Sequence, residues 1–197
     1  TSHMSFHLFS CRRAAGDLPR PSGPGASPPP LFFALFLLAQ TEPLLLRLEA
    51  ALPPRRADGH KGTFGKVLCV CGSVGFSGAA VFAGRAAVRT GSGLVYLGVP
   101  EPVWPVAAMK CDEAMPFPLP SEEGKLEEAI RQRAGGCDAV LVGCGLGRSP
   151  GCDGLVRRLL DLPRPLVLDA DGINALSGHM DALSRRRNRI TVLTPHE

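Results

Sequence analysis

Val67-Leu68-Cys69-Val70-Cys71-Gly72-Ser73-Val74-Gly75-Phe76-Ser77-Gly78-Ala79-Ala80 is the stretch on which the fold turns. Residues 67–71 are a continuous apolar run rich in β-formers, the pattern of a strand buried on both faces. Residues 72–78, with glycine at 72, 75 and 78, make a turn, and the small side chains of 79–90 build a helix that Gly91 closes. Residues 94–99 read as the next strand. Strand, helix and strand in this order form a βαβ unit, whose right-handed crossover lays the helix on one face of a parallel sheet.

Downstream the alternation continues. Residues 100–120 are a proline-rich excursion. Ser121 then stands as the cap of a helix whose buried stripe is Leu126, Ala129, Ile130 and Ala134. Glu122 and Glu123 lie at its positive end, and Arg131 and Arg133 at its negative end. Residues 139–142, 166–169 and 190–193 are three further buried strands, each followed by a loop bearing Gly, Asp or His. The expected class is α/β: a central, mostly parallel sheet with helices on both faces, in which ligands bind at the carboxyl ends of the strands.

Composition agrees with this class. The chain is 45% apolar and only 6% aromatic, and its 23 glycines and 19 prolines suit many turns rather than a helical bundle. The net charge of +4 is modest, and apart from Arg185, Arg186, Arg187 and Arg189 the arginines are dispersed. With so few aromatics for base stacking, nucleic acid is not an expected partner. The seven cysteines are an odd number with no Cys-x-x-Cys pair, which argues against a disulfide framework and against a zinc knuckle, and for reduced thiols in the cytoplasm. Cys69 and Cys71 share one face of their strand as small apolar side chains.

The first part of the chain differs in character. Residues 1–4 resemble a vector scar, and 19–30 have the Pro, Gly and Ser content of a linker. The apolar run 31–39 is too short to span a membrane. With Arg12, Arg13 and Arg20 before it, the run is similar to the middle of a signal peptide, but an extension read from a misplaced start is the favoured account. Residues 1–40 are therefore expected to be scar and disordered or misassigned extension, with the domain occupying 41–197. Leu44, Leu45, Leu48 and Leu52 recur at helical spacing until Pro53 and Pro54, giving a short amphipathic entry helix.

Three strand-end segments carry chemistry. Gly72 to Ala80 joins strand to helix with small residues, so a ligand can approach the backbone and meet N–H groups that favour an anion or a carbonyl. The spacing is not the Gly-x-Gly-x-x-Gly fingerprint of a dehydrogenase, and a plain tight turn is the competing account. Gly143-Cys144-Gly145-Leu146-Gly147-Arg148-Ser149-Pro150 follows a strand, with Ser149 as cap and Pro150 as first helical residue. Asp169-Ala170-Asp171-Gly172-Ile173-Asn174 brackets a strand end with two carboxylates, which suit magnesium, proton transfer or simple helix capping; capping is favoured for Asp171. Thr194-Pro195-His196 brings a histidine to the same end of the sheet.

Taken in order, His60-Lys61-Gly62-Thr63-Phe64-Gly65-Lys66, the glycine turn with Ser77-Gly78-Ala79-Ala80, Gly91-Ser92-Gly93-Leu94-Val95, Gly145-Leu146-Gly147, Asp169-Ala170-Asp171 with Asn174-Ala175-Leu176, and Thr194-Pro195-His196 closely resemble the bacterial ADP- or ATP-dependent (S)-NAD(P)H-hydrate dehydratases. The resemblance implies a ribokinase-like fold, incomplete in this chain. The implied activity returns hydrated NADH or NADPH to the usable cofactor, with ADP or ATP and Mg2+ as co-reactants. It implies substrate contacts at Ala79, Ala80, Gly145, Gly147 and His196, with Lys61, Asp169, Asp171 and Asn174 as further candidates. The partner is a small dinucleotide, with neither nucleic acid nor membrane, and a homo-oligomer is possible.

Two departures from the family pattern stand out. Cys144 takes the place of a proline in the second glycine loop. The family's nucleotide-holding segment and catalytic aspartate are expected downstream of Glu197, so the chain as given is expected to be inactive. A ribokinase-like vitamin or sugar kinase and a non-catalytic dinucleotide-binding module are the alternatives.

Overall fold

Strand β1 (Lys66–Val70) buries Leu68, Cys69 and Val70 completely, which demands cover on both faces of the sheet. The computed structural model describes residues 57–195, so the expectations for the scar, linker, apolar run and entry helix lie outside the described residues, as does His196. The described chain runs β1, α1 (Ser77–Arg89), β2 (Leu94–Pro100), a 3-10 turn (Glu101–Val103) leading into α2 (Trp104–Lys110), β3 (Met115–Leu119) and α3 (Glu123–Gly135). It continues through β4 (Ala139–Val142), α4 (Pro150–Leu159), β5 (Leu166–Asp169), the single turn α5 (Asp171–Asn174), a second 3-10 segment (Met180–Arg186) and β6 (Thr191–Thr194).

The strands form one six-stranded sheet in the order β3-β2-β1-β4-β5-β6, and every neighbouring pair is parallel. The chain therefore builds outward from β1 to one edge, returns to β4, and builds outward to the other. Helices α1 and α2 cover one face, where Cys69, Cys71, Ala80, Val81, Val95, Leu97 and Val99 are packed. Helices α3 and α4 cover the other, over Leu68, Val70, Ile130, Val140, Val142, Leu159 and Leu168. The alternation of these two sets along β1 is the period-two pleat. Both Cys69 and Cys71 are buried as small apolar side chains; burial pushes the Cys69 thiol up to about 12, and the hydrogen bond with Cys144, then burial, raises that of Cys71.

Most expected elements match within two residues, α1 beginning at Ser77 rather than 79 and the last strand at Thr191 rather than 190. Two readings are corrected. The 100–120 excursion contains α2 and β3, an edge strand paired with β2. Pro116 and Pro118 cannot donate to a ladder, so Met115, Phe117 and Leu119 face β2 and the prolines face outward; the Pro116 carbonyl accepts from Trp104 Nε1 at 3.1 Å on that outer side. Ser121 is not the cap of α3: the capping position is Glu122, in extended backbone and without a side-chain cap. Helix α3 is tied to α4 by Glu127, which accepts from Arg131 at 2.8 Å and Arg158 at 2.6 Å, and these partners hold its carboxyl below the usual range. No helix of the described residues is long and apolar enough to cross a membrane.

Candidate functional site at the switch point of the sheet

Where a parallel sheet reverses its direction of build, the loops leaving the two central strands part and open a crevice at their carboxyl ends. Here the two strands are β1 and β4, and the loops are the two glycine segments. Backbone bonds pin them together: Gly72 N–H donates to Cys144 O at 2.9 Å and Gly143 N–H to Val70 O at 3.2 Å. Ser73 Oγ donates to Gly145 O at 2.9 Å across the crevice. The glycines are required by contact. A Cβ on Gly145 would stand 2.7 Å from Ala79 Cβ, and one on Gly72 2.8 Å from Ala80 Cβ.

The two helices that start here differ at their N-termini. Helix α4 closes itself: Pro150 has no N–H, Ser149 Oγ accepts from Cys152 N at 3.1 Å as the sequence indicated, and Asp153 beside it is paired with Arg148. Helix α1, with Phe76 at its capping position, has no capping side chain and no acid in its first turn. The Ala79 N–H donates to Phe76 O at 3.2 Å, while the N–H groups of Ser77 and Gly78 and the positive end of the dipole have no capping side chain or acid from the helix's own start.

Both carboxylates after β5 are engaged, though not by capping. Asp171 is corrected here: the capping position of α5 is Ala170, and Asp171 Oδ2 instead accepts from Gly147 N at 2.9 Å, with Oδ1 3.4 Å from Asn174 Nδ2. Asp169 accepts from Thr194 Oγ1 at 2.6 Å and from Cys144 Sγ at 3.1 Å. The cysteine at the position where the resembling loop has proline thus supplies a donor that proline lacks. Sequence reasoning did not single out Thr194 or Cys144 as partners of Asp169, because one comes from β6 and the other from the loop after β4, adjacent in space and distant in the chain.

Between the two acids sits Ala170, at φ 45° and ψ −111°, the one non-glycine with positive φ among the described residues. Such a backbone costs a side-chain-bearing residue about 1–3 kcal/mol. Ala170→Gly is expected to raise stability by about 1 kcal/mol after the entropy lost by the unfolded chain's gain in freedom is subtracted. A urea midpoint that stays put or falls would show that the strain is not there.

The structure thus gathers Ala79, Gly145, Gly147, Asp169, Asp171 and Asn174 at one end of the sheet. Ala80 adjoins them, but its side chain is fully buried beneath Gly72. Lys61 is not among them. It lies exposed in the turn before β1, at the amino end of the strands, in a loop that His60 closes by accepting from Gly62 N at 3.0 Å. Gly93 leaves room for that loop, since a Cβ there would stand 1.7 Å from Lys61 O.

Comparison with known proteins agrees with this architecture. The family model described as NAD(P)H-hydrate dehydratase matches residues 67–197. The chain is 42% identical over 156 residues to a bifunctional NAD(P)H-hydrate repair enzyme of Salinibacter ruber, covering 76% of this chain and 29% of that protein. It is 36% identical over 154 residues to an ADP-dependent (S)-NAD(P)H-hydrate dehydratase of Neisseria meningitidis, covering 77% and 49%. The chain therefore spans half or less of the length of these relatives. Among solved structures, a ribokinase-like superfamily protein from Enterococcus faecalis aligns with TM-score 0.62 at 22% identity, over 74% of this chain and 50% of that one, a likeness of fold. An ADP/ATP-dependent NAD(P)H-hydrate dehydratase from Bacillus subtilis, co-crystallised with ATP and Mg2+, aligns with TM-score 0.54 at 30% identity, over 74% and 49%. With its parallel sheet, its paired glycine loops and these matches, the chain belongs to the NAD(P)H-hydrate dehydratase family, on a ribokinase-like fold.

Proposed function

We propose that the protein repairs damaged cofactor by nucleotide-dependent dehydration of the S form of hydrated NADH or NADPH, and that the described residues form the wall receiving the dinucleotide. The observation that carries this reading is the uncapped start of α1 beside the Gly145 loop at the switch point, in a chain of this family. An anionic linkage between two nucleotides suits those open N–H groups, while Ala79, Gly145 and Gly147 allow the backbone to approach a flat ring closely. The Gly147 N–H is already taken by Asp171, so a contact at Gly147 uses its carbonyl or its Cα. His196 follows Thr194 and Pro195 from the end of β6, and a hydrogen bond from its imidazole to the carboxamide or hydroxyl of the substrate completes the set.

ADP or ATP supplies the phosphoryl group that makes the ring hydroxyl a leaving group. Among the described residues no three acidic, histidine or cysteine side chains converge on a point, and both strand-end carboxylates are occupied by protein donors. The cysteines of the described residues are all free thiols, which supports a reducing compartment, the cytoplasm.

The test is calorimetric titration of this chain with NADPH hydrate, beside an assay of the full-length natural protein for recovery of NADPH absorbance on adding ADP or ATP. Saturable binding to the chain, lost in Gly145→Val, together with turnover by the full-length protein, is the expected result. Phosphorylation of a small alcohol with the hydrate untouched would make it a kinase, and binding with no turnover in the full-length protein would make it a binding module.

A further inference from the structure

At the opposite end of β1, roughly 20 Å from the glycine loops at ordinary strand rise, a second cleft opens between α3 and the sheet. Its volume is about 440 Å³, and Lys66, Tyr96, Phe117, Ala129, Gln132 and Arg133 line it. The pleat builds its floor. Leu68 and Tyr96 are register partners, as are Gly98 and Phe117, so these side chains share the α3 face. Gly98 makes room for the phenyl ring, since a Cβ there would stand 3.0 Å from Phe117 Cζ. Tyr96 and Phe117 thus form one aromatic shelf, and the guanidinium of Arg133 lies over both rings, 5.0 Å and 4.5 Å from their centroids.

A guanidinium held by stacking keeps its N–H donors in a fixed plane, ready for a flat or tetrahedral anion. Neither Arg133 nor Lys66 has a carboxylate partner among the described residues. The neighbouring acid, Asp138, has its Oδ2 on the backbone N–H of Lys66 at 2.8 Å. Ala129 contributes only a methyl, which keeps the helix side of the cleft low. Two unpaired cations therefore converge, with the Gln132 amide, on a hollow of the size that takes a small organic ligand.

We propose that this cleft is a phosphate-recognition site for a phosphate monoester up to the size of a nucleoside monophosphate. Lys66 supplies a point charge and Arg133 its planar donors, while the free face of the guanidinium offers a surface on which a base stacks. A dianionic phosphate satisfies both cations at once. The site is remote from the switch point and does not depend on the function proposed there.

The experiment is calorimetric titration of the whole chain with AMP, inorganic phosphate and adenosine. AMP is expected to saturate with Kd of about 1 mM or tighter, to weaken with added salt, and to bind far better than adenosine. Lys66→Met and Arg133→Met should each weaken it about tenfold or more. Gln132→Glu, an exposed change that puts a negative charge in the cleft and leaves the shelf intact, should do the same. Lys125→Met, elsewhere on α3, should leave it unchanged, and AMP held at the glycine loops would ignore all four substitutions. Equal binding of phosphate and AMP assigns the site to free phosphate, and tighter AMP adds a nucleoside contact. Absence of saturation, adenosine binding as well as AMP, or binding that survives the cleft substitutions overturns the proposal.

Discussion

Gly143→Ala is expected to lower stability by about 4 kcal/mol and to abolish the dinucleotide binding proposed for the switch point. Gly143 has φ +126°, and a Cβ on it would stand 1.9 Å from Asp169 O and 2.5 Å from Gly172 N. Both atoms are backbone, so no side chain can swing aside, and the turn after β5 must move as a unit. The crossing is reciprocal: a Cβ on Gly172 would stand 2.5 Å from Val142 O. Moving that turn takes Asp171 away from Gly147 and Asp169 away from Cys144 and Thr194, which is why binding is lost along with stability. Gly151→Ala, in the first turn of α4 with its nearest neighbour at 3.9 Å, is the matched control and should be neutral or stabilise by up to about 1 kcal/mol. Denaturant unfolding of the two variants decides the matter; equal midpoints would mean that the close crossing at Gly143 is absent in solution.

Arg186→Met is expected to cost about 3–5 kcal/mol. Arg186 is 3% exposed, the one buried charged residue of the described chain, and burial lowers its pKa from the ordinary value. Its guanidinium donates to Leu160 O at 2.8 Å, Leu162 O at 2.9 Å, Arg164 O at 2.6 Å, Ile190 O at 3.2 Å and Thr191 Oγ1 at 2.7 Å. These acceptors come from the end of α4, the approach to β5 and the approach to β6. Methionine fills similar volume but leaves the carbonyls of Leu160 and Arg164 without that donor, whereas Ile190 O keeps the Leu166 N–H at 3.1 Å and Leu162 O keeps Arg189 at 3.3 Å. Arg186→Lys retains the charge and presents its donors from a single nitrogen, so it should recover less than half of the loss. A methionine variant within about 1 kcal/mol of the parent would mean that water reaches those carbonyls.

The elements legible in the sequence are those whose signals are local. β1 declares itself as an unbroken apolar run, and Ser149-Pro150 specify the start of α4 by one side-chain bond and one missing donor. β3 is illegible for the converse reason. Pro116 and Pro118 argue against a strand unless it is known to lie at an edge, and position in a sheet is not a local property. The same holds for Asp171: a carboxylate in the first turn of a helix usually finds its own backbone, and only the approach of Gly147 from another loop gives it a better donor. Arg186 was one member of a basic run, and nothing in that run distinguishes the one that turns inward from those that stay in water. Of the candidate site, the glycine loops were readable because close approach admits little else, whereas the ties of Asp169 to Cys144 and Thr194 required the strand order.

The outer side of β3 offers no amide hydrogens at Pro116 or Pro118, and one of its carbonyls is already held by Trp104. A foreign strand arriving there finds nothing to accept from, so stacking of copies into a continuous ribbon cannot propagate through that side. At the other boundary of the described sheet β6 has no such stopper. Among the described strands, further pairing is therefore open past β6 and blocked past β3, and two copies meeting through β6 would end in two β3 edges instead of seeding a fibre.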